Sequence, residues 1–129
     1  MRVTTKVTLN QSWLAEMDKI RLQALEMTAE AVLTDIRTSG VVPKDTGELE
    51  RSSFVDLSEI QKAVARIVFD TPYARRLYWH PEYNFRTDEN PNARGKWMEP
   101  YHAGDKRDWV IETYGKFLQM LMRQKGMIK

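Results

Sequence analysis

The chain has 129 residues, a length that fits one compact domain and excludes most multidomain enzymes. Hydrophobic residues make up 42% of it and charged residues 29%, as in an ordinary soluble domain, and the absence of cysteine excludes disulfides, thiolate metal sites and thiol catalysis. The 20 basic and 18 acidic residues give a net charge of only +2, so no large basic face for nucleic acid is implied.

The first two predicted elements are a short strand and a long helix. From Val3 to Leu9, β-branched and apolar residues alternate with polar ones, and this period of two predicts a strand with one buried face. From Trp13 to Arg37 the apolar residues recur every three or four positions, which predicts one continuous helix. Asn10 or Ser12 can cap its start, and Gly40 is a stop signal after its last turn.

The segment after the long helix is predicted to be an exposed loop from Gly40 to Gly47. It contains Pro43, which lacks a backbone donor, and it ends in a turn at Asp45-Thr46-Gly47. Asp45 and Glu48 are close enough in sequence to resemble a catalytic carboxylate pair, but such a pair also needs a cleft and separated pKa values. A solvated turn that leads into a short helix accounts for both acids.

A β-hairpin is predicted next. Ser53 to Leu57 forms its first strand, and Ala63 to Phe69, in which apolar residues alternate, forms its second, with the turn through Ser58 to Gln61. We expect the face that carries Ile67 and Phe69 to pack on the long helix.

Two further helices are predicted, separated by a long surface loop. Thr71-Pro72 is typical of a helix start, and Tyr73 to Trp79 has the composition of two helical turns. Residues 81–104 are rich in proline, glycine and polar residues and form the loop, whose aromatic side chains indicate that it docks on something. A closing helix is predicted from a cap at Asp105 to about Lys125.

No constellation of residues in the sequence indicates catalysis. His80 and His102 have no metal-ligand spacing and are interpreted as loop or packing residues. The six glycines are scattered singly, so no phosphate-binding loop is predicted, and no Gly-x-Ser-x-Gly motif occurs. We therefore predict a protein that is not an enzyme and that needs no cofactor and no metal.

The segment from Tyr73 to Arg107 combines aromatic residues with arginines and lysines. Such a mixture can stack on bases and contact phosphates, but the acids among these residues leave too small a positive excess for a phosphate-tracking groove. The same enrichment is typical of the buried centre of protein–protein interfaces. A protein partner is the favoured interpretation, and a small non-enzymatic nucleic-acid-binding or protein-interaction module is the alternative.

An ordered set of motifs resembles the phage minor capsid and head–tail connector family. The motifs that carry the resemblance are, in chain order, Val42-Pro43-Lys44-Asp45-Thr46-Gly47-Glu48-Leu49-Glu50-Arg51-Ser52, a hairpin, Asp70-Thr71-Pro72-Tyr73-Ala74-Arg75-Arg76-Leu77-Tyr78, His80-Pro81-Glu82-Tyr83-Asn84-Phe85, Asn90-Pro91-Asn92-Ala93, Lys96-Trp97, and a closing helix with Trp109. The likeness covers the chain from the Val3 strand to about Trp109. The chain departs from the pattern at Pro100, where a helix is expected to begin, and in its basic tail from Arg123 to Lys129.

The resemblance implies a single α+β domain over residues 1–129, with a small antiparallel sheet packed against a long N-terminal helix and a C-terminal helix. It implies a structural virion protein, made in the bacterial host cytoplasm, that joins the head of a tailed phage or prophage to its tail. The implied partners are other neck or tail proteins and copies of itself, six or twelve in a ring. A monomer in isolation is also compatible with the resemblance. DNA would at most pass through the ring, and no membrane contact is expected.

Two loop regions are the candidate interfaces of such a ring. In the long loop and the helix before it, aromatic side chains would be the anchors and arginines would give pairing and orientation. The second candidate is the Asp45-Thr46-Gly47 turn, which can reorder on docking. The candidate residues are Trp79, Tyr83, Phe85, Trp97, Arg75, Arg76, Arg86, Asp45, Thr46 and Gly47. On this prediction, Trp97→Ala impairs assembly and leaves the monomer folded.

Overall fold

The computed structural model describes residues 1–43, 48–83, 85, 87, 90 and 92–129. Over these residues the chain has an α+β fold, in which a long N-terminal helix and a C-terminal helix pack with a two-stranded antiparallel sheet. The elements in chain order are α1 (Gln11–Thr38), α2 (Glu48–Arg51), β1 (Ser53–Asp56), a 3₁₀ turn (Ile60–Lys62), β2 (Arg66–Phe69), α3 (Ala74–Trp79), α4 (Pro100–Ala103) and α5 (Arg107–Gln124).

Helix α1 confirms the predicted long helix and its signals. The side chain of Asn10 accepts a hydrogen bond of 3.0 Å from the backbone N–H of Trp13, which satisfies one of the free donors of the first turn. At the other end Gly40 takes a φ of 70°, a left-handed conformation that glycine adopts without steric cost and that continues no helix.

The predicted hairpin is present, with shorter strands and a longer connection. Strands β1 and β2 pair antiparallel, with Ser53 opposite Phe69 and Asp56 opposite Arg66. The connection contains the 3₁₀ turn, which ends at Ala63 in a left-handed conformation with a φ of 60°. Ile67 and Phe69 pack on the core that α1 lines, which confirms the predicted inner face of the hairpin.

The predicted strand from Val3 to Leu9 is wrong for the isolated chain. Residues 1–10 are all exposed and form no helix or strand. A strand needs a neighbouring backbone to satisfy its N–H and C=O groups, and the described part of the chain pairs β1 only with β2. We call residues 1–10 the N-terminal arm.

The predicted exposure of the loop that begins at Gly40 is wrong over its first residues. Gly40, Val42 and Pro43 are buried, and Asn90 and Asn92 lie against this part of the chain. The side-chain amide of Asn90 donates to the carbonyl of Val42 at 2.8 Å, and the backbone N–H of Asn92 donates to the carbonyl of Gly40 at 3.1 Å. Buried backbone carbonyls need such partners, so these two asparagines hold the chain beyond α1 in place.

Helix α5 runs antiparallel to α1. The ammonium of Lys106, just before α5, lies 2.5 Å from Asp35 near the end of α1, and that of Lys125 lies 3.6 Å from Glu16 near its start. Lys106 occupies the N-cap position of α5 and makes no side-chain capping bond, so the predicted cap at Asp105 is wrong. The proline that departs from the resemblance, Pro100, opens the short helix α4 at a position where its missing N–H costs nothing.

Two apolar clusters stabilise this arrangement. The larger lies where the C-terminal half of α1 meets β2, α3 and residues 97–101, and the smaller lies between α1 and α5. Buried members of the larger cluster are Val32, Ile36, Val42, Leu49, Ala74 and Trp97, and those of the smaller are Ile20, Ala24 and Leu121.

A polar contact beside the larger cluster fixes α1 to α4 and α5. The carboxylate of Asp35 accepts hydrogen bonds from the Tyr101 hydroxyl at 2.6 Å and from the Lys106 ammonium at 2.5 Å. Burial alone would raise the pKa of Asp35, but these two bonds and the Lys106 charge outweigh burial and lower it below its ordinary 3.8. Burial and the Asp35 carboxylate raise the pKa of Tyr101 to about 12.

We therefore expect Asp35→Asn to lower the free energy of unfolding by about 1 kcal/mol near neutral pH, since the ion pair is partly exposed and screened. Because the Asp35 pKa is lowered in the folded state, the stability it contributes is present above pH 3.8 and is lost as pH falls through the folded pKa. Urea unfolding at pH 7 and at pH 3 measures the difference between the two proteins. Glu30→Gln, which removes an exposed carboxylate of α1, is the control. If Asp35→Asn lowers the free energy of unfolding by the same amount at both pH values, the stabilising role of the ionised Asp35 carboxylate is contradicted.

Candidate protein-interaction face

Helix α3 presents its arginines and one tryptophan on a single exposed face. Arg75 and Trp79 are four residues apart and Arg76 and Trp79 three, so the three side chains are neighbours on the helix surface. The opposite side carries the buried Ala74 and the half-buried Leu77 and Tyr78, which pack on the larger cluster. The packing of α3 on the core therefore decides which residues face solvent, and Trp79 keeps 59% of its surface exposed.

An open depression of about 520 Å³ lies along this helix face. We call the exposed surface around it the aromatic–arginine face. It consists of the residues that line the depression together with the tyrosine that stacks beside them: Pro72, Arg75, Arg76, Trp79, His80 and Tyr83.

The residues after α3 are ordered on this face by stacking. The rings of His80 and Tyr83 are parallel within 6°, with centroids 4.7 Å apart, and the guanidinium carbon of Arg76 lies 5.9 Å from the Tyr83 centroid. The Arg76 Nε donates to the Tyr83 hydroxyl at 3.4 Å, which raises the pKa of Arg76. His80 Nδ1 lies 2.7 Å from the Glu82 carboxylate, and this bond lowers the pKa of Glu82. Side chains held in this way lose little conformational freedom when a partner binds.

A close backbone approach fixes the turn that carries Tyr83. A Cβ atom on Gly95 would lie 2.7 Å from the Cα of Pro81 and 3.2 Å from the carbonyl oxygen of Leu77. Only glycine leaves room for this contact. The backbone N–H of Lys96 also donates to the carbonyl of Tyr78 at 2.8 Å. The segment around residues 95–96 therefore supports the aromatic–arginine face from behind.

The structure places Trp97 in the core, so the prediction that it is an exposed anchor is wrong. It is 1% exposed and belongs to the larger cluster. Its ring meets those of Tyr78 and Phe69 edge to face, with centroids 4.9 Å and 5.4 Å apart. Its indole Nε1 has no hydrogen-bond partner among the residues that the structure describes. A long polar loop with interspersed aromatics gives no periodicity that separates a buried ring from an exposed one.

The other candidate residues are only partly brought together. Tyr83 is exposed, and its ring centroid lies 6.4 Å from that of the half-buried Phe85, so these two share one surface with α3. Four candidates lie outside the residues that the structure describes, and their interface role stays a prediction: Asp45, Thr46, Gly47 and Arg86.

Sequence reasoning missed Pro72 and His80 as parts of the face. The residues that line the depression follow Pro72 by three, four, seven and eight positions: Arg75, Arg76, Trp79 and His80. Residues at these spacings share one face of a helix. This periodicity is the sequence signal that could identify the face, but it is weak because it extends over only about two helical turns.

Neither a metal cluster nor a carboxylate pair stands out over the described ranges. Among those residues no group of three or more His, Asp or Glu side chains could hold a metal ion. Asp45, one half of the considered carboxylate pair, lies outside them, and the Tyr73 hydroxyl donates to the other half, Glu48, at 3.3 Å. The arrangement on α3 offers instead cationic, aromatic and apolar surface, which is suited to binding.

Comparisons with known proteins give no relatives for this chain. No family model, no curated protein and no solved structure matches it. Across the part of the chain that the structure describes, no helix combines the length and apolar character needed to span a bilayer.

Proposed function

We propose that this chain is a structural subunit of the head–tail connector of a tailed phage or prophage, a neck or tail-completion protein. Copies of it assemble into a ring that joins the DNA-filled head to the tail, and its place is in the virion. The subunit acts by binding and not by catalysis.

The observation that carries the proposal is the ordered aromatic–arginine face, which lies within the motifs that resemble the connector family. Exposed tryptophan and arginine side chains are the residue types that contribute most to binding when a partner buries them. On α3 they stand beside a depression that can receive a partner side chain. The same motifs include Asn90 and Asn92, whose hydrogen bonds secure the chain beyond α1, and Trp97, which fills the core behind α3.

The proposed ring needs two different patches on each subunit, because a contact that joins copies head to tail closes only through unlike surfaces. The aromatic–arginine face is one patch. Its arginines give orientation to a docking partner, since they pair with carboxylates in a fixed geometry. A nucleic-acid-binding module is the less favoured function, because a net charge of +2 offers few phosphate contacts.

Deletion of the gene from its phage or prophage tests the joining role. Electron microscopy of the lysate is expected to show DNA-filled heads and finished tails as separate particles, and supply of the intact chain from a plasmid is expected to restore joined particles. Normal infectious particles from the deletion strain would overturn the proposal.

A further inference from the structure

The N-terminal arm carries the pattern of a strand without a partner. Val3, Val7 and Leu9 are 81%, 83% and 66% exposed, although they lie on one side of an alternating segment. Apolar side chains arranged in this way usually face a core. Basic and hydroxyl side chains occupy the other side, so the arm has one apolar and one polar face.

The sheet offers the arm a place to pair. Strand β2 pairs with β1 on one side, and over the residues described no strand pairs with its other side. An apolar groove of about 310 Å³ lies between β2, the C-terminal half of α1 and the helices α4 and α5, and none of its described lining residues belongs to β1. The residues that line the groove are mostly apolar and are buried or half-buried; they include Leu25, Val32, Ala65, Ile67, Met98 and Val110.

The arm cannot place Val7 and Leu9 in the groove of its own chain. Leu25 is the lining residue of α1 nearest to the arm, and it lies about 22 Å from Asn10 at the helical rise of about 1.5 Å per residue. Val7 is three residues before Asn10, so an extended chain carries it only about 10 Å from the start of the helix. Val7 and Leu9 therefore fall short of the groove in their own subunit.

We infer that the N-terminal arm adds as a third strand to β2 of a second copy of this chain, with Val3, Val7 and Leu9 entering the groove. Backbone hydrogen bonds along β2 give affinity, and the groove selects the apolar side of the arm. The arm and the groove are unlike surfaces on one subunit, so the contact either closes reciprocally between two copies or joins copies head to tail into a ring or a filament. The inference rests on the proposed function only in taking a second copy as the partner.

Cysteine cross-linking tests the inference in a chain that has no native cysteine. Chains with Val3→Cys, Val7→Cys or Leu9→Cys are each mixed with a separate Ala65→Cys chain over a concentration series, oxidised and run on non-reducing gels. The matched controls are Thr4→Cys and Thr8→Cys, which place the thiol on the opposite face of the arm. A disulfide forms only when the two Cα atoms approach within about 7 Å.

We expect the best apolar-face variant to give at least about tenfold more mixed disulfide with Ala65→Cys than either control, because one residue of register moves a side chain to the other face. Equal yields from the two faces, or no mixed disulfide from any of the three variants, would overturn the inference. Purified chains suffice, so the result is separate from the lysate experiment. If the purified chains cross-link but the deletion strain makes normal particles, the connector role is rejected and the arm contact is supported. If the deletion strain makes separate heads and tails but the chains do not cross-link, only the arm contact is rejected.

Discussion

Replacement of Trp97 by alanine is expected to lower the free energy of unfolding by about 3–5 kcal/mol, the usual range for a buried tryptophan. Trp97 is 1% exposed and packs edge to face against Tyr78 and Phe69, so its loss leaves a cavity that rigid neighbours cannot fill. Urea unfolding followed by circular dichroism measures the change. Since small domains are stable by only about 5–15 kcal/mol, the variant unfolds at a much lower denaturant concentration.

The matched variants for this measurement are Trp79→Ala and Trp97→Phe. Trp79 is 59% exposed, and we expect its removal to cost less than about 1 kcal/mol. Trp97→Phe keeps a ring in the core and removes an indole N–H that has no partner within the described ranges, so it is expected to cost less than Trp97→Ala. If the Trp97→Ala chain is as stable as the intact chain and fails only in assembly, Trp97 is an interface residue and not a core residue.

Replacement of Trp79 by alanine is expected to abolish most head–tail joining while the chain stays folded. A tryptophan that anchors an interface contributes about 2 kcal/mol or more, so its loss weakens each contact at least about thirtyfold. The effect is multiplied around a ring, because every subunit carries the same change. Counts of joined particles by electron microscopy, with the variant supplied to the deletion strain, measure the loss.

Ile111→Ala is the control for Trp79→Ala. Ile111 lies on α5, outside the aromatic–arginine face, and is 57% exposed, close to the 59% of Trp79. The substitution therefore removes an apolar side chain of similar exposure from a different surface. We expect this variant to join heads and tails as the intact chain does. Equal losses of joined particles from both variants would show that the aromatic–arginine face has no special part in assembly.

Helices α1, α3 and α5 and the hairpin could be predicted because local sequence determines them, whereas α4 lies within the predicted loop of residues 81–104. The apolar period over Trp13 to Arg37, the capping side chain of Asn10 and the left-handed Gly40 are all local signals, and α1 begins and ends within two residues of the prediction. The alternation around Ile67 gave the correct inner face of the hairpin for the same reason.

Long-range contacts could not be predicted from those signals. Whether Trp97 lies inside or outside depends on Tyr78 and Phe69, which are 19 or more residues away in the sequence. The burial of Val42 depends on the amide of Asn90, 48 residues further on. Alternation in the N-terminal arm gave a face but not a partner strand, because a strand's partner is a property of the whole fold or assembly.

The candidate interface was predicted in part. Trp79, Arg75 and Arg76 lie together on α3 because helical spacing places them there, and Tyr83 joins them through stacking with His80. His80 is interpreted from the sequence as a packing or loop residue, because its helical spacing from Pro72, Arg75 and Arg76 extends over only about two turns. In the structure it occupies the C-cap position of α3 and lies on the face.

The central claim is that copies of this chain form the joint between head and tail, and a cryo-electron microscopy reconstruction of the neck in intact particles measures this most directly. We expect a closed ring of this chain around the path of the DNA, with Trp79 and Arg76 buried against a neighbouring subunit. A neck reconstruction in which every density is accounted for by other chains would contradict the claim.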